Sequence, residues 1–144
     1  MSLNVIKVSS SEDLERVFAI RHQVFVIGQK VDHSEEFDEF EQSSVHFLAS
    51  IDGKPVGTAR WRYTDKGVKM ERFAVLDEYQ SMGVGSALVN AVEDDIRAAA
   101  DEGTKLYMHA QVTAMGLYHK FGYQKKGDLF VECEIDHYLM EKII

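Results

Sequence analysis

The sequence contains one cysteine, Cys133, and one proline, Pro55, among 144 residues. A lone cysteine excludes an internal disulfide and any zinc site built from several thiolates, and it points to a reducing, cytoplasmic setting. No apolar run approaches the roughly 20 residues a membrane helix needs. Met1 to Lys7 offers no basic segment leading into an apolar core, so a secretory signal is not expected either. Basic residues are the scarcer charge: 16 Lys and Arg stand against 24 Asp and Glu, a formal net charge of -8. That balance argues against a broad nucleic-acid footprint and favours a neutral or cationic small partner.

The remaining composition, 45% hydrophobic and 28% charged, is that of a globular chain. Residues 1–144 read as a single domain, long enough to bury roughly two-thirds of its unfolded surface. The acid excess is local. Asp32, Glu35, Glu36, Asp38, Glu39 and Glu41 lie together with no Lys or Arg among them. Such a cluster is either a solvated, mobile face or an electrostatic funnel for a positively charged substrate.

Val5 to Val8 reads as a first strand, followed by a capping box of Ser9 with Glu12 and a helix whose apolar face holds Leu14, Val17, Phe18, Val24 and Phe25. Gly28 to Ser44 reads as a loop or short helix beside a site. Val45–Ile51, Val56–Tyr63 and Val68–Val75 are expected strands joined by tight turns at Asp52-Gly53 and Thr64–Gly67, with Pro55 at the first turn. They form an antiparallel meander. A helix then runs from Val84 to near Gly103, with Val84, Leu88, Val92 and Ile96 inward. A strand Leu106–Val112, a short helix Thr113–Phe121 and strands Tyr123–Phe130 and Ile135–Ile143 complete the chain. The fold class is mixed α/β in the order β-α-(α)-β-β-β-α-β-α-β-β.

Gln80-Ser81-Met82-Gly83-Val84-Gly85-Ser86 lies between a strand and a helix, where two glycines let the backbone turn tightly and approach a ligand. Free N–H groups of a helix's first turn, aided by the macrodipole, hold an anion without a lysine. A Walker loop would need Gly-Lys-Ser/Thr. A dinucleotide fingerprint would need a small residue where Leu88 stands, and a parallel βαβ unit. Neither is present. Glycines that merely permit a tight helix start are the plainer reading.

Gln80-x-x-Gly83-x-Gly85 resembles the Gln/Arg-x-x-Gly-x-Gly/Ala motif of the GNAT superfamily of N-acetyltransferases. A second block, Gln111, Ala114, Tyr118, Phe121, Gly122 and Tyr123, is similar to that family's Asn-x-x-Ala-x-x-x-Tyr…Gly-Phe pattern, with Gln111 in place of Asn and Tyr123 in place of Phe. The resemblance spans about residues 3–142. Ala110-Gln111 and Glu134-Ile135-Asp136-His137 look like the ElaA/YjcF-like branch.

The resemblance implies a mostly antiparallel twisted sheet flanked by helices, and acetyl-CoA as co-substrate. Its pyrophosphate would lie on the amides of Gln80, Ser81, Met82, Gly83, Val84, Gly85 and Ser86, and its pantetheine would run beside Phe73, Ala74 and Val75, with Gln111 contributing. Tyr118 occupies the family position of the acid that protonates the departing sulfur. Glu71, expected to share a strand face with Phe73 and Val75, is a candidate base or else an ion-pair partner of Arg72 or Arg60. Glu36, Arg60 and His109 are candidate substrate contacts, and His137 is a further one. Arg60 and Arg62 either hold a substrate carboxylate or face solvent. Cys133 reads as a small buried apolar group. No metal ligand set is found.

The implied function is direct transfer of an acetyl group from the CoA thioester to a primary amine of a small molecule or protein, with a small-molecule or peptide amine as partner. The alternative is a non-catalytic acyl-CoA sensor. No membrane or nucleic-acid partner is expected, and the chain is read as a monomer or homodimer, with Tyr63, Phe130, Tyr138 and Ile143 available to cover an edge.

Overall fold

Strand alternation and helical periodicity sort the apolar residues onto two faces of one sheet. The computed structural model describes residues 2–144. Seven strands, β1 (Leu3–Lys7), β2 (Val45–Ile51), β3 (Lys54–Thr64), β4 (Gly67–Val75), β5 (Lys105–Gln111), β6 (Gln124–Glu132) and β7 (Ile135–Ile143), form a sheet in the order β1-β2-β3-β4-β5-β7-β6. All neighbours are antiparallel except β4 and β5. The helices are α1 (Ser11–Arg21), α2 (His33–Glu36), α3 (Val84–Ala99) and α4 (Met115–Lys120). The expected element order and meander are therefore present.

One face packs against α3. Val84, Leu88, Val89, Val92 and Ile96 are almost fully buried there against Ala59, Trp61, Val68, Met70, Leu106 and Met108. Each such side chain contributes roughly 1.5–3 kcal/mol of burial free energy. The other face packs against α1 through Val17, Ile20, Phe25, Leu48 and Ala74.

Local signals misplaced a few boundaries. Ser10 rather than Ser9 caps α1: its extended backbone aims Oγ at the Asp13 N–H, which donates at 3.1 Å. Helix α1 continues as a wider π-helical stretch, His22–Gly28, that reaches over the sheet. Pro55 lies inside β3 opposite Ser50, beside a register shift at Ala49/Ser50 that tolerates its missing N–H. Helix α3 stops at Ala99, because Ala100 is already extended. Gly103, at φ 93°, serves the following turn and donates its N–H to Ile144 O. Of the four residues expected to cover an edge, Tyr63 and Ile143 are exposed, while Phe130 and Tyr138 are half-buried.

Two irregularities open the site. The β3–β4 register passes from Arg60↔Glu71 to Thr58↔Ala74, so Arg72 and Phe73 together oppose Ala59, with Arg72 at φ 59°. A bulge of one extra residue reverses the inward and outward parity of everything beyond it. The parallel β4–β5 pairing holds only at Val68↔Leu106 and Lys69↔Tyr107. Beyond that point the two strands diverge.

A charge-segregated cleft as the candidate active site

Between the diverging ends of β4 and β5 lies a cleft of about 690 Å³, a size typical of small-ligand sites. Phe73, Ala74 and Val75 form one wall, Gln111, Ala114 and Tyr118 another, and Gln80, Ser81, Gly83, Val84, Gly85 and Ser86 the floor at the start of α3. The sequence-predicted cofactor residues are thus gathered in one cavity, except Met82, which is exposed and outside its lining.

The floor presents backbone amides that no side chain caps. Gly83 caps α3 in the left-handed conformation, φ 84°, and offers no side chain to the N–H groups of Val84, Gly85 and Ser86. With a sixteen-residue helix behind them, these amides carry the positive end of its dipole. Ser81, also left-handed at φ 64°, tilts the preceding loop. The Gln80 amide is not available, since it donates to Asp77 O at 3.3 Å. A Cβ on Gly85 would lie 3.1 Å from Leu117 Cδ2, so its glycine lets α4 approach the helix start. Lys120, one helical turn beyond Leu117 on α4, also lines the cleft.

Tyr118 is 6% exposed and stands edge-on to Phe73, with ring centroids 5.8 Å apart. Burial pushes its phenol well above the usual range, so it stays protonated. A protonated phenol in a cleft is an acid, not a base.

The opposite end carries different chemistry. Glu35, Glu36 and Arg72 line it from one side, and Glu132, Cys133, Ile135 and His137 from the other. The β6–β7 hairpin turns through Cys133 (φ 50°) and Glu134 (φ 64°). It reaches α2, where the Cys133 thiol donates to Glu35 Oε2 at 2.7 Å. Burial and the Glu35 carboxylate push that thiol up to about 11. Cys133 is exposed, contrary to the expectation of a buried group, because it occupies the turn itself. Gln29 and Gln111 exchange amide hydrogen bonds of 2.9 and 3.3 Å, joining the end of the π-helical stretch to β5.

Several expected site residues are elsewhere. The bulge removes Glu71 from the face of Phe73 and Val75: those two pack toward α3, while Glu71 joins Arg60, Arg62 and Lys69 on the α1 side. Arg60 is fully buried and bound to Asp38, Glu41 and Glu71 at 2.7–2.8 Å. It is not placed to hold a substrate carboxylate. His109 stands behind the cleft lining, with Nδ1 donating to Glu132 Oε2 at 2.9 Å. Glu36 does line the cleft, yet Arg21 and Arg72 occupy its carboxylate.

The acid cluster divides accordingly. Glu36, Asp38 and Glu41 turn inward to neutralise the buried Arg21 and Arg60 and the half-buried Arg72, whereas Asp32, Glu35 and Glu39 are exposed. Half the segment is therefore an internal ion-pair network. Only Glu35 of the exposed trio reaches the cleft. Glu132, Cys133 and Lys120 went unrecognised in the sequence, because neither residue of the Cys133-Glu134 turn is a turn former and the hairpin's reach is a tertiary property.

An antiparallel meander, a short parallel join that splays, and a cleft ending on the free amides of a helix start together define a mixed α/β fold. The chain belongs to the GNAT acetyltransferase family: the family model for the acetyltransferase (GNAT) domain matches residues 7–144. The uncharacterized N-acetyltransferase YjcF of Bacillus subtilis (strain 168) is 37% identical over 142 residues, covering 97% of this chain and 99% of YjcF. Escherichia coli ElaA shares the fold with a TM-score of 0.85 at 20% identity, over 99% of both chains. A GNAT family acetyltransferase from Elizabethkingia anophelis, solved with acetyl-CoA bound, superposes with a TM-score of 0.74 at 16% identity, over 99% of this chain and 98% of that one. Acetyl-CoA-dependent acetyl transfer is the family's general reaction, and the chain is an enzyme of this kind. Among the described residues, no helix is long and apolar enough to cross a membrane.

Proposed function

We propose that the protein transfers an acetyl group from acetyl-CoA to a primary amine of a small molecule or peptide that carries a second positive charge. The observation that carries this reading is the segregation of charge along one cleft. The free α3 amides and Lys120 stand at one end, and the carboxylates of Glu35 and Glu132 at the other. Arg72 is the cation at the acidic end, and Glu36 and Asp38 pair with it.

The residues fit acetyl-CoA as co-substrate. The amides of Val84, Gly85 and Ser86 suit its pyrophosphate, and the β4 edge at Phe73–Val75, left without a β5 partner by the splay, suits an extended pantetheine arm. The thioester supplies an activated acyl group. The chain's part is to bring a neutral amine to it, to polarise the carbonyl from a backbone N–H near Val75, and to give the departing sulfur the Tyr118 hydroxyl proton. As the nitrogen–carbon bond forms, the carbon–sulfur bond breaks, and one proton passes overall from nitrogen to sulfur. Tyr118 recovers its proton from solvent. The cytoplasm is the compartment assigned to this reaction, since an exposed free thiol such as Cys133 persists in a reducing medium.

A panel of amines, with release of free CoA thiol as the readout, tests the reading. Diamines and amines bearing a second cation are expected to be turned over with higher kcat/KM than amines bearing a carboxylate. The reverse order would overturn the substrate class. Thermal stabilisation by ATP but by neither acetyl-CoA nor CoA would overturn the cofactor assignment.

A further inference from the structure

With Glu71 on the far face of the sheet, the acceptor amine needs another group to take its proton. The titratable and charged groups bordering the acceptor end are Glu35 and Glu36 from α2, Arg72 from β4, Glu132 from β6, Cys133 from the hairpin turn and His137 from β7, with His109 of β5 behind them. Most are committed. Glu36 is paired with two arginines. Glu132 accepts the His109 Nδ1–H, which holds its carboxyl below the usual range and makes it a weak base. The Cys133 thiol is a donor, bonded to Glu35.

His137 differs from all of these. It is 7% exposed and lines the cleft, directly opposite Gln111 in the β5–β7 register. Its Nδ1 lies 2.6 Å from Ile135 O. A carbonyl oxygen only accepts, so Nδ1 carries the proton and the neutral ring presents its basic lone pair at Nε2. Phe130 stacks on the imidazole, with centroids 5.7 Å apart and planes 20° from parallel, and fixes the ring's plane. The only sealed side-chain nitrogen or oxygen without a hydrogen-bond partner among the described residues is His46 Nδ1. Nε2 of His137 therefore reaches open space, and the cleft is the cavity that this ring borders.

We propose that His137 is the catalytic base of the transfer, its Nε2 taking a proton from the acceptor nitrogen as that nitrogen bonds to the acetyl carbon. Meanwhile the carbon–sulfur bond breaks and the Tyr118 hydroxyl protonates the leaving sulfur. The nearby charge of His137 favours the ionised form of Glu132, and His109, bonded to that carboxylate and partly open to solvent, offers the proton a way out. The inference rests on the acetyl-transfer reading above and assigns it a residue.

The test has two readouts. In protein labelled with ¹⁵N-histidine, long-range proton–nitrogen correlation at pH 8 is expected to report His137 as the Nδ1–H tautomer, with its Nε2 signal moving when acetyl-CoA is added. An Nε2–H tautomer would overturn the proposal without any turnover being measured. For kinetics, His137→Asn keeps a donor near the Nδ1 position for Ile135 O and removes Nε2. With the amine that wild type turns over best, kcat/KM is expected to fall about 100-fold or more. The acidic limb of the pH profile should flatten, and KM for acetyl-CoA should stay within about threefold of wild type, since uniform binding is untouched. Unchanged rate and pH profile in a variant still stabilised by acetyl-CoA would refute the base while leaving the acetyltransferase reading intact. Failure of wild type to acetylate any amine would overturn both.

Discussion

Arg60 and Glu71 face each other across β3 and β4 and close an ion pair at 2.7 Å on the α1 side of the sheet, behind the wall of the cleft. Glu71 also binds Arg62 at 2.7 Å and Lys69 at 3.4 Å. Burial alone would raise its carboxyl, yet the three cations hold it below the usual value. A carboxylate so compensated holds the sheet's charged face together and lies outside the cleft lining. Glu71→Gln leaves buried Arg60 short of a counter-charge and is expected to cost about 3–5 kcal/mol. At roughly 2–4 °C per kcal/mol that is a drop on the order of 10 °C in Tm. Assayed where the variant remains folded, its kcat/KM and pH profile should match wild type. A hundredfold loss in kcat with unaltered Tm would mean that Glu71 acts in the chemistry.

The start of α3 packs closely on β3. A Cβ on Gly57 would lie 2.9 Å from Val84 Cγ1, 3.1 Å from Ala74 O and 3.2 Å from Leu88 Cδ1. Backbone stands on one side and buried core on the other, so there is little to give way. Gly57→Ala is expected to cost about 1–3 kcal/mol as overpacking and to weaken acetyl-CoA binding by displacing the first turn of α3. Gly83→Ala has open space around it but a φ of 84°, so its penalty comes from the backbone, about 1–2 kcal/mol. Gly83→Asn, whose side chain tolerates that conformation, should recover most of the loss. Thermal shifts with and without acetyl-CoA separate the two effects. Equal behaviour of the Ala and Asn variants at position 83 would refute the conformational explanation.

How far the sequence reached follows from the range of each signal. The tight turn into α3 was legible because Gly83 and Gly85 act within one turn, and the α3 stripe because Leu88, Val92 and Ile96 repeat at the helical period. Glu71 was misplaced because strand alternation assumes unbroken pairing, and nothing in Glu71-Arg72-Phe73 announces a bulge. Arg72 adopts φ 59° for tertiary reasons, with its guanidinium drawn to Glu35 O and Glu36 O at 3.3 and 3.2 Å. The acid cluster was visible as charge, but its partners Arg21 and Arg60 are remote in sequence, so its inward half was hidden.

Stability should fall with acid in two stages. His46 is buried beside Arg21 and Arg60, and its Nε2–H donates to Glu41 O at 2.7 Å, leaving Nδ1 sealed without a partner. Burial holds its folded pKa below the ordinary 6.5. The unfolded chain therefore takes up this proton first, so the stability is complete above about pH 6.5 and is lost as pH falls through the lower folded value. Asp38 follows. Burial opposes its ionisation, but hydrogen bonds from Arg60 and the Phe40 N–H, with the charges of Arg60 and Arg72, hold it at about 2. Its contribution is present above the unfolded value near 4 and declines as pH drops toward about 2. Tm measured against pH should show an early decline below 6.5 that His46→Gln, which keeps a donor for Glu41 O, removes. A decline of the same size in that variant would exclude His46 as its source.

Tyr118 lines the cleft edge-on to Phe73 and to Tyr123, with ring centroids 5.8 and 6.3 Å away. That packing is independent of the hydroxyl, so Tyr118→Phe should fold normally and keep its stabilisation by acetyl-CoA. Loss of the proton donor should lower kcat by about 10²–10⁴. Burial keeps the phenol protonated far into the alkaline range, so the wild-type rate should show no decline between pH 7 and 9 that the Phe variant lacks. The effect should also shrink with the leaving group. An acyl donor whose thiol is more acidic than CoA needs less protonation, and the ratio of wild-type to variant rates should fall with it. A ratio independent of leaving-group acidity would place Tyr118 among the packing residues, and a water would then carry the proton to sulfur.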